Sequence, residues 1–135
     1  MEELILKIEA ELNIQDANFK EYLLENCDMN KDGRLTFSDA EKWNSSESVK
    51  TFEVSNKNIS SLKGIEYFTA LEDLNCNNNQ LTSLDVSNCT ALTWLYCNMT
   101  SLKTIYLKNG HKINGITENR STQYINTNTE IVFVD

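Results

Sequence analysis

Apolar residues change their period along this chain. Leu4, Ile5, Ile8 and Leu12 recur at helical spacing, and after Asp16, a residue type suited to capping a helix, Phe19, Tyr22, Leu23 and Cys27 make a second stripe. Both stripes predict amphipathic helices packed on a neighbour, and a third helix is expected from Phe37 to Trp43. Beyond them a longer repeat takes over. Leu71-x-x-Leu74-x-Cys76-x-x-Asn79-x-Leu81-x-x-Leu84-x-Val86 is matched twenty-one residues later by Leu92, Leu95, Cys97, Thr100, Leu102, Ile105 and Leu107. One step of 22 residues earlier, Val49, Phe52, Val54, Ile59 and Leu62 fit the same pattern, with Lys57 in the Asn position. Such a period belongs to leucine-rich repeats, in which each coil offers a short parallel strand and buries its apolar residues only against its neighbours. The ladder lapses after Ile113 and Ile116. There Tyr124–Ile125 and the run from Glu130 to Val134 read as two strands around an Asn-Thr turn, a β cap for the open end of the solenoid.

The predicted class is therefore α+β: a helical N-terminal cap over residues 1–47, a short leucine-rich repeat solenoid over 48–112 and a β cap over 113–135. Charge supports the first boundary. Residues 1–47 hold twelve acids and five bases (−7), while 48–135 hold eight acids and seven bases (−1). The total of −8 contains no basic run and argues against nucleic acid, whose phosphates need clustered Lys and Arg. One histidine, no proline and four glycines leave little material for His-based triads, His-based metal centres or Gly-rich phosphate loops, so no enzyme is expected. No apolar run is long enough for a transmembrane helix. The N-terminal MEELILKIEAELNI is acidic and amphipathic, unlike a signal peptide, which leaves a cytoplasmic protein or a trimmed mature start as alternatives.

Between the second and third helices lies DMNKDGRLTFSD. Asp28, Asn30, Asp32, Arg34, Thr36 and Asp39 fall at positions one, three, five, seven, nine and twelve of a twelve-residue loop, with Gly33 at six. A hard cation such as Ca²⁺ takes six to eight oxygens, and this spacing offers three carboxylates, one amide, the Arg34 carbonyl and Thr36, directly or through water. Gly33 permits the sharp turn. The loop resembles an EF-hand, and with Asp in place of Glu at its last position it is more similar to the dockerin-type variant. The alternative is an empty acidic turn between two helices.

The repeat LNCNNNQLTSLDVSNCTALTWLYC, together with VSNKNISSLKGIEYFTAL before it, resembles the 21-residue cysteine-ladder repeats of bacterial surface proteins, similar to the internalin J-like branch of the internalins. The calcium-type loop resembles one often found just ahead of such arrays. This resemblance implies a curved, non-catalytic solenoid that binds a protein or glycan, commonly as an exported or cell-surface adhesin, with Ca²⁺ as a structural ion. Thr100 in place of Asn, and the loss of the Asn-Asn-Gln tract around it, suggest that the array is ending there. An intracellular protein-interaction scaffold with an empty loop remains the alternative.

The register assigns the remaining chemistry. Cys76 and Cys97 take inward strand positions one coil apart and are expected as buried free thiols, although strand spacing would allow a bridge. Cys89 is expected inward on the convex side and Cys27 on a helix stripe. Outward positions are Thr51, Glu53 and Ser55, then Asp73, Asn75 and Asn77, then Trp94, Tyr96 and Asn98. Asp73, Asn75, Trp94 and Tyr96 are the candidate ligand contacts, unless the C-terminal strands fold over the two aromatics. His111, in an Asn-Gly-His-Lys turn, is expected at the surface.

Overall fold

The computed structural model describes residues 9–135, so most of the first expected helix, including Leu4, Ile5 and Ile8, lies outside the described residues. Leu12, assigned above to that helix, is instead buried in an extended segment, where its N–H donates to the Leu35 carbonyl at 2.9 Å. Two helices follow, α1 (Ala17–Cys27) and α2 (Phe37–Ser45). Asp16 caps α1 as expected, with one carboxylate oxygen accepting from the N–H groups of Asn18 and Phe19. Its other oxygen reaches across the chain to the Ser60 and Ser61 N–H groups at 2.8 and 3.3 Å, tying the cap to the first coil. The same junction is sealed by Ile14 against Gly64, where a Cβ would meet the Ile14 Cδ1 at 2.1 Å.

The solenoid carries two parallel sheets. The first consists of β1 (Thr51–Glu53), β2 (Asp73–Asn75) and a later strand one coil on; the second begins with β3 (Ser83–Asp85). That later strand is β4 (Trp94–Tyr96), and the second sheet is completed by β5 (Thr104–Lys108) and β6 (Glu130–Val134). Phe52, Leu74 and Leu95 align across the first sheet, and Leu84 with Ile105 across the second, in the register that one step of 22 residues and then steps of twenty-one demand. All five side chains are buried, as are the four cysteines, which are free.

Asn79 explains why the repeat carries an amide at this place. Buried between coils, its Nδ2 donates to the Val54 and Cys76 carbonyls at 2.8 and 3.0 Å, while Oδ1 accepts from the Lys57 and Ile59 N–H groups. One side chain thus satisfies backbone groups of a turn that forms no ladder of its own. The equivalent Thr100 is exposed, and the amide ladder ends there.

Two expectations are corrected. Val49 was placed in the apolar ladder but is 80% exposed, and Lys50 is the buried residue. The cap already covers this end of the core: Trp43 lies 5.1 Å from the Phe52 ring and 5.5 Å from Phe68. Lys50 passes beneath it, with Nζ 5.2 Å from the indole centroid and donating to the Ser46 and Ser48 carbonyls. The C-terminal tail, moreover, forms no hairpin. Ile125 bridges Cys97 in parallel, and β6 pairs with β5 in parallel, Thr104 opposite Glu130, so the tail makes a fourth, irregular coil with a wider step. Its inward-facing Phe133 remains 47% exposed at the end of the stack.

Candidate functional site

Two places in this fold collect polar chemistry: the loop between α1 and α2, and the outward face of the first sheet, the face expected to be concave. In the loop, Asp28, Asp32 and Asp39 each bring a carboxylate oxygen within 4.8 Å of the other two, a spread that one cation with oxygens at about 2.3–2.6 Å could bridge. The backbone prepares this arrangement. Gly33, at φ 82°, donates its N–H to Asp28 Oδ2 at 2.8 Å, and Asp32 Oδ1 accepts from the Arg34 N–H at 3.0 Å. That backbone bond holds Asp32 below the ordinary carboxylate range, against the opposing effect of desolvation.

Asp39 is buried at the start of α2, where it forms a reciprocal capping box with Thr36 and also accepts the Met29 N–H at 2.9 Å. Asn30 Oδ1 accepts from the Asp32 N–H at 3.3 Å. The Arg34 side chain points away to Glu11 at 2.9 Å. Asp28 Oδ1 is buried without a hydrogen-bond partner. A carboxylate oxygen shut away from water in this manner is costly unless a cation or water meets it, so the residues present fit a Ca²⁺ ion.

On the concave face, strand register places Thr51, Asp73 and Trp94 side by side in one row and Glu53, Asn75 and Tyr96 in the next. All six line a shallow depression of about 270 Å³. The four ligand candidates, Asp73, Asn75, Trp94 and Tyr96, are therefore brought together. Thr51 and Glu53 join them, as the outward alternation of β1 required. Asn75 donates to Glu53 Oε2 at 3.1 Å and Ser55 to Glu53 Oε1 at 2.5 Å.

Tyr124, from the fourth coil, was not foreseen. Its ring packs edge-on against Tyr96 at 5.0 Å and lies 6.1 Å from Trp94. Gly115 backs it so closely that a Cβ there would meet the Tyr124 ring at 2.4 Å. The tail therefore walls the aromatic pair without covering it, and Trp94 is still 41% exposed.

The remaining reactive groups are withdrawn from solvent. Burial pushes the Cys27, Cys89 and Cys97 thiols up to about 12, and Cys76 is raised by burial and the neighbouring Cys97. His111 is not the surface residue expected. It is half-buried, with Nε2 2.7 Å from the Leu92 carbonyl and Nδ1 buried without a partner. Among the described residues, no helix is long and apolar enough to cross a membrane.

No family model and no curated protein matches this chain. Among solved structures, it is similar to the CBM51-2 and INT domains of Clostridium perfringens ZmpB solved with GlcNAc, at 25% identity and a TM-score of 0.48. A second structure of those domains gives 25% identity and 0.42, and each alignment covers 76% of this chain and 19% of that one. An internalin from Listeria monocytogenes matches at 24% identity and a TM-score of 0.49, covering 97% of this chain and 40% of that one. This chain thus spans well under half the length of the structures it matches.

Proposed function

We propose that this chain is a non-enzymatic binding or adhesion module of internalin-like type. It captures a protein or glycan on its concave sheet, in an exported or cell-surface setting, while Ca²⁺ fixes the helical cap. The observation that carries this reading is the half-exposed Trp94 beside Asp73, on a face whose aromatics are walled by Tyr124 yet left open to solvent. A large aromatic kept wet on a sheet face beside a carboxylate is the kind of group that anchors a ligand. The cation would be held by the side chains of Asp28, Asn30, Asp32 and Asp39 with the Arg34 carbonyl, and by Thr36 directly or through water. When bound, it supplies the positive charge that relieves three clustered carboxylates and the buried Asp28 oxygen.

Two measurements test the two halves of this reading. Trp94→Ala should abolish capture in glycan-array and pull-down assays while leaving the melting temperature nearly unchanged; binding that survives the substitution overturns the concave-face assignment. After chelation, added Ca²⁺ should raise the melting temperature, by a stabilisation of about 2.7 kcal/mol at a hundredfold excess over the dissociation constant. Asp28→Asn should remove most of that gain. Indifference of the wild-type melt to millimolar Ca²⁺, with no heat in calorimetry, refutes the ion's role.

A further inference from the structure

Resting on the concave face as the binding surface, we propose that its occupant is a protein segment presenting an arginine side chain, whose guanidinium stacks on Trp94 and pairs with Asp73. The argument starts from charge. Two carboxylates, Glu53 and Asp73, line the depression, and no Lys or Arg does. They differ in how far they are already satisfied. Glu53 accepts from Ser55 and from Asn75, whereas the Asp73 carboxylate has a single side-chain hydrogen-bond partner, the Thr51 hydroxyl at 3.5 Å. Asp73 is therefore the acceptor with capacity to spare.

The inventory of donors points the same way. The Asn75 amide donates to Glu53, its Oδ1 accepts from the Asn77 N–H, and the Thr51 hydroxyl points at Asp73. Apart from the aromatic tips and the second N–H of Asn75, the face offers acceptors whose ligand must bring the donors. A sugar hydroxyl brings one donor and asks for donors in return, but a guanidinium brings five N–H donors and asks for none. Geometry completes the match. Asp73 and Trp94 are direct register partners on adjacent parallel strands, so their side chains rise from the sheet about 4.8 Å apart. A planar cation lying on the indole face then presents its edge to the carboxylate, combining cation–π attraction with a charge-assisted hydrogen bond. Tyr124 packs beside Trp94 and Tyr96 on the side away from Asp73 and Asn75, so the aromatic pair is braced at the edge of the depression.

The test exposes the whole immobilised chain to two probes in parallel, a random-peptide display library and a glycan array. The expected result is enrichment of arginine-bearing peptides whose binding weakens as KCl rises. For one selected peptide, affinity should fall about tenfold or more in Asp73→Asn and in Trp94→Ala, and equally when its arginine is replaced by citrulline. Asp73→Asn is close to isosteric and loses only the long contact to Thr51, so its melting temperature should match wild type and separate lost binding from lost fold. Selected peptides without arginine enrichment, or capture of glycans alone, overturn the arginine assignment; if Trp94→Ala abolishes that capture, the concave face itself survives. Binding that resists Trp94→Ala, or no binder in either probe set, overturns both readings.

Discussion

Replacing Asn79 by Ala should be among the most damaging single substitutions in the solenoid, and the structure says by how much. Asn79 is only 5% exposed, and its amide serves the Val54 and Cys76 carbonyls and the Ile59 and Lys57 N–H groups. Lys57 is exposed, so its N–H can turn to water, but Val54, Cys76 and Ile59 are fully buried and their backbone groups are left without partners. A buried orphan costs about 1–3 kcal/mol, which makes three of them roughly 3–6 kcal/mol once some relaxation is allowed. That is a large share of the about 5–15 kcal/mol typical of a domain. Urea titration followed by tryptophan fluorescence should show a midpoint lowered by roughly 2 M at an m-value of about 2 kcal/mol/M. Thr100→Ala is the matched control: it occupies the same repeat position one coil later, is exposed, and should stay within about 0.5 kcal/mol. Equal small losses for both variants, at unchanged m-value, would show that the amide does not tie the coils together.

Other outcomes follow from the same geometry. Leu95→Ala, at a fully packed position shared by adjacent coils, should cost about 2–5 kcal/mol through lost transfer energy plus a cavity, and a loss below about 1 kcal/mol in denaturant titration would contradict its placement. Intact-mass analysis after alkylation should find no label on the native chain at neutral pH and four labels after unfolding, since burial suppresses every thiolate; native labelling of any cysteine breaks this account. Burial alone would raise the Asp16 pKa, but the N–H groups of Ser60, Phe19, Asn18 and Ser61 outweigh it and hold it below 3.8. The folded value is thus the lower one, so its stabilisation is present in full above about pH 5 and fades as the pH falls through 3.8 and below. Asp16→Asn should accordingly destabilise the protein at neutral pH and matter progressively less in acid, and a stability difference that does not shrink there would rule the clamp out.

The ladder was legible because a period survives any detail of local conformation. Once Leu74 and Leu95 align, the outward partners Asp73, Asn75, Trp94 and Tyr96 follow by alternation. That Asp28, Asp32 and Asp39 come together was legible for a similar reason, since their spacing around one loop is written in the sequence. Three features were not. Val49 fits the period but lies where Trp43 has already covered the core, a tertiary fact that no window of sequence contains. Tyr124 reaches the aromatic pair through a coil whose strand step, from Thr104 to Glu130, breaks the twenty-one-residue rule, so no alignment of repeats predicts it. His111 binds a main-chain carbonyl, that of Leu92, and backbone acceptors carry no signature in residue type.

The two ends of the stack are anchored unequally, and this gives the molecule a direction of unravelling. At one end a single carboxylate bonds main-chain groups of both helix and coil while Ile14 fills the hollow over Gly64; at the other, β6 is an edge strand with Phe133 about half in water. In a nearly one-dimensional array each unit is held mainly by its neighbours, so in these 135 residues opening starts at the edge strand β6. Amide exchange should therefore be fastest in β6 and slow coil by coil toward β1. The wall that Tyr124 builds beside Trp94 belongs to the fastest-opening coil, and the aromatic platform would lose its far side in excursions that leave Asp73 and the acidic side intact.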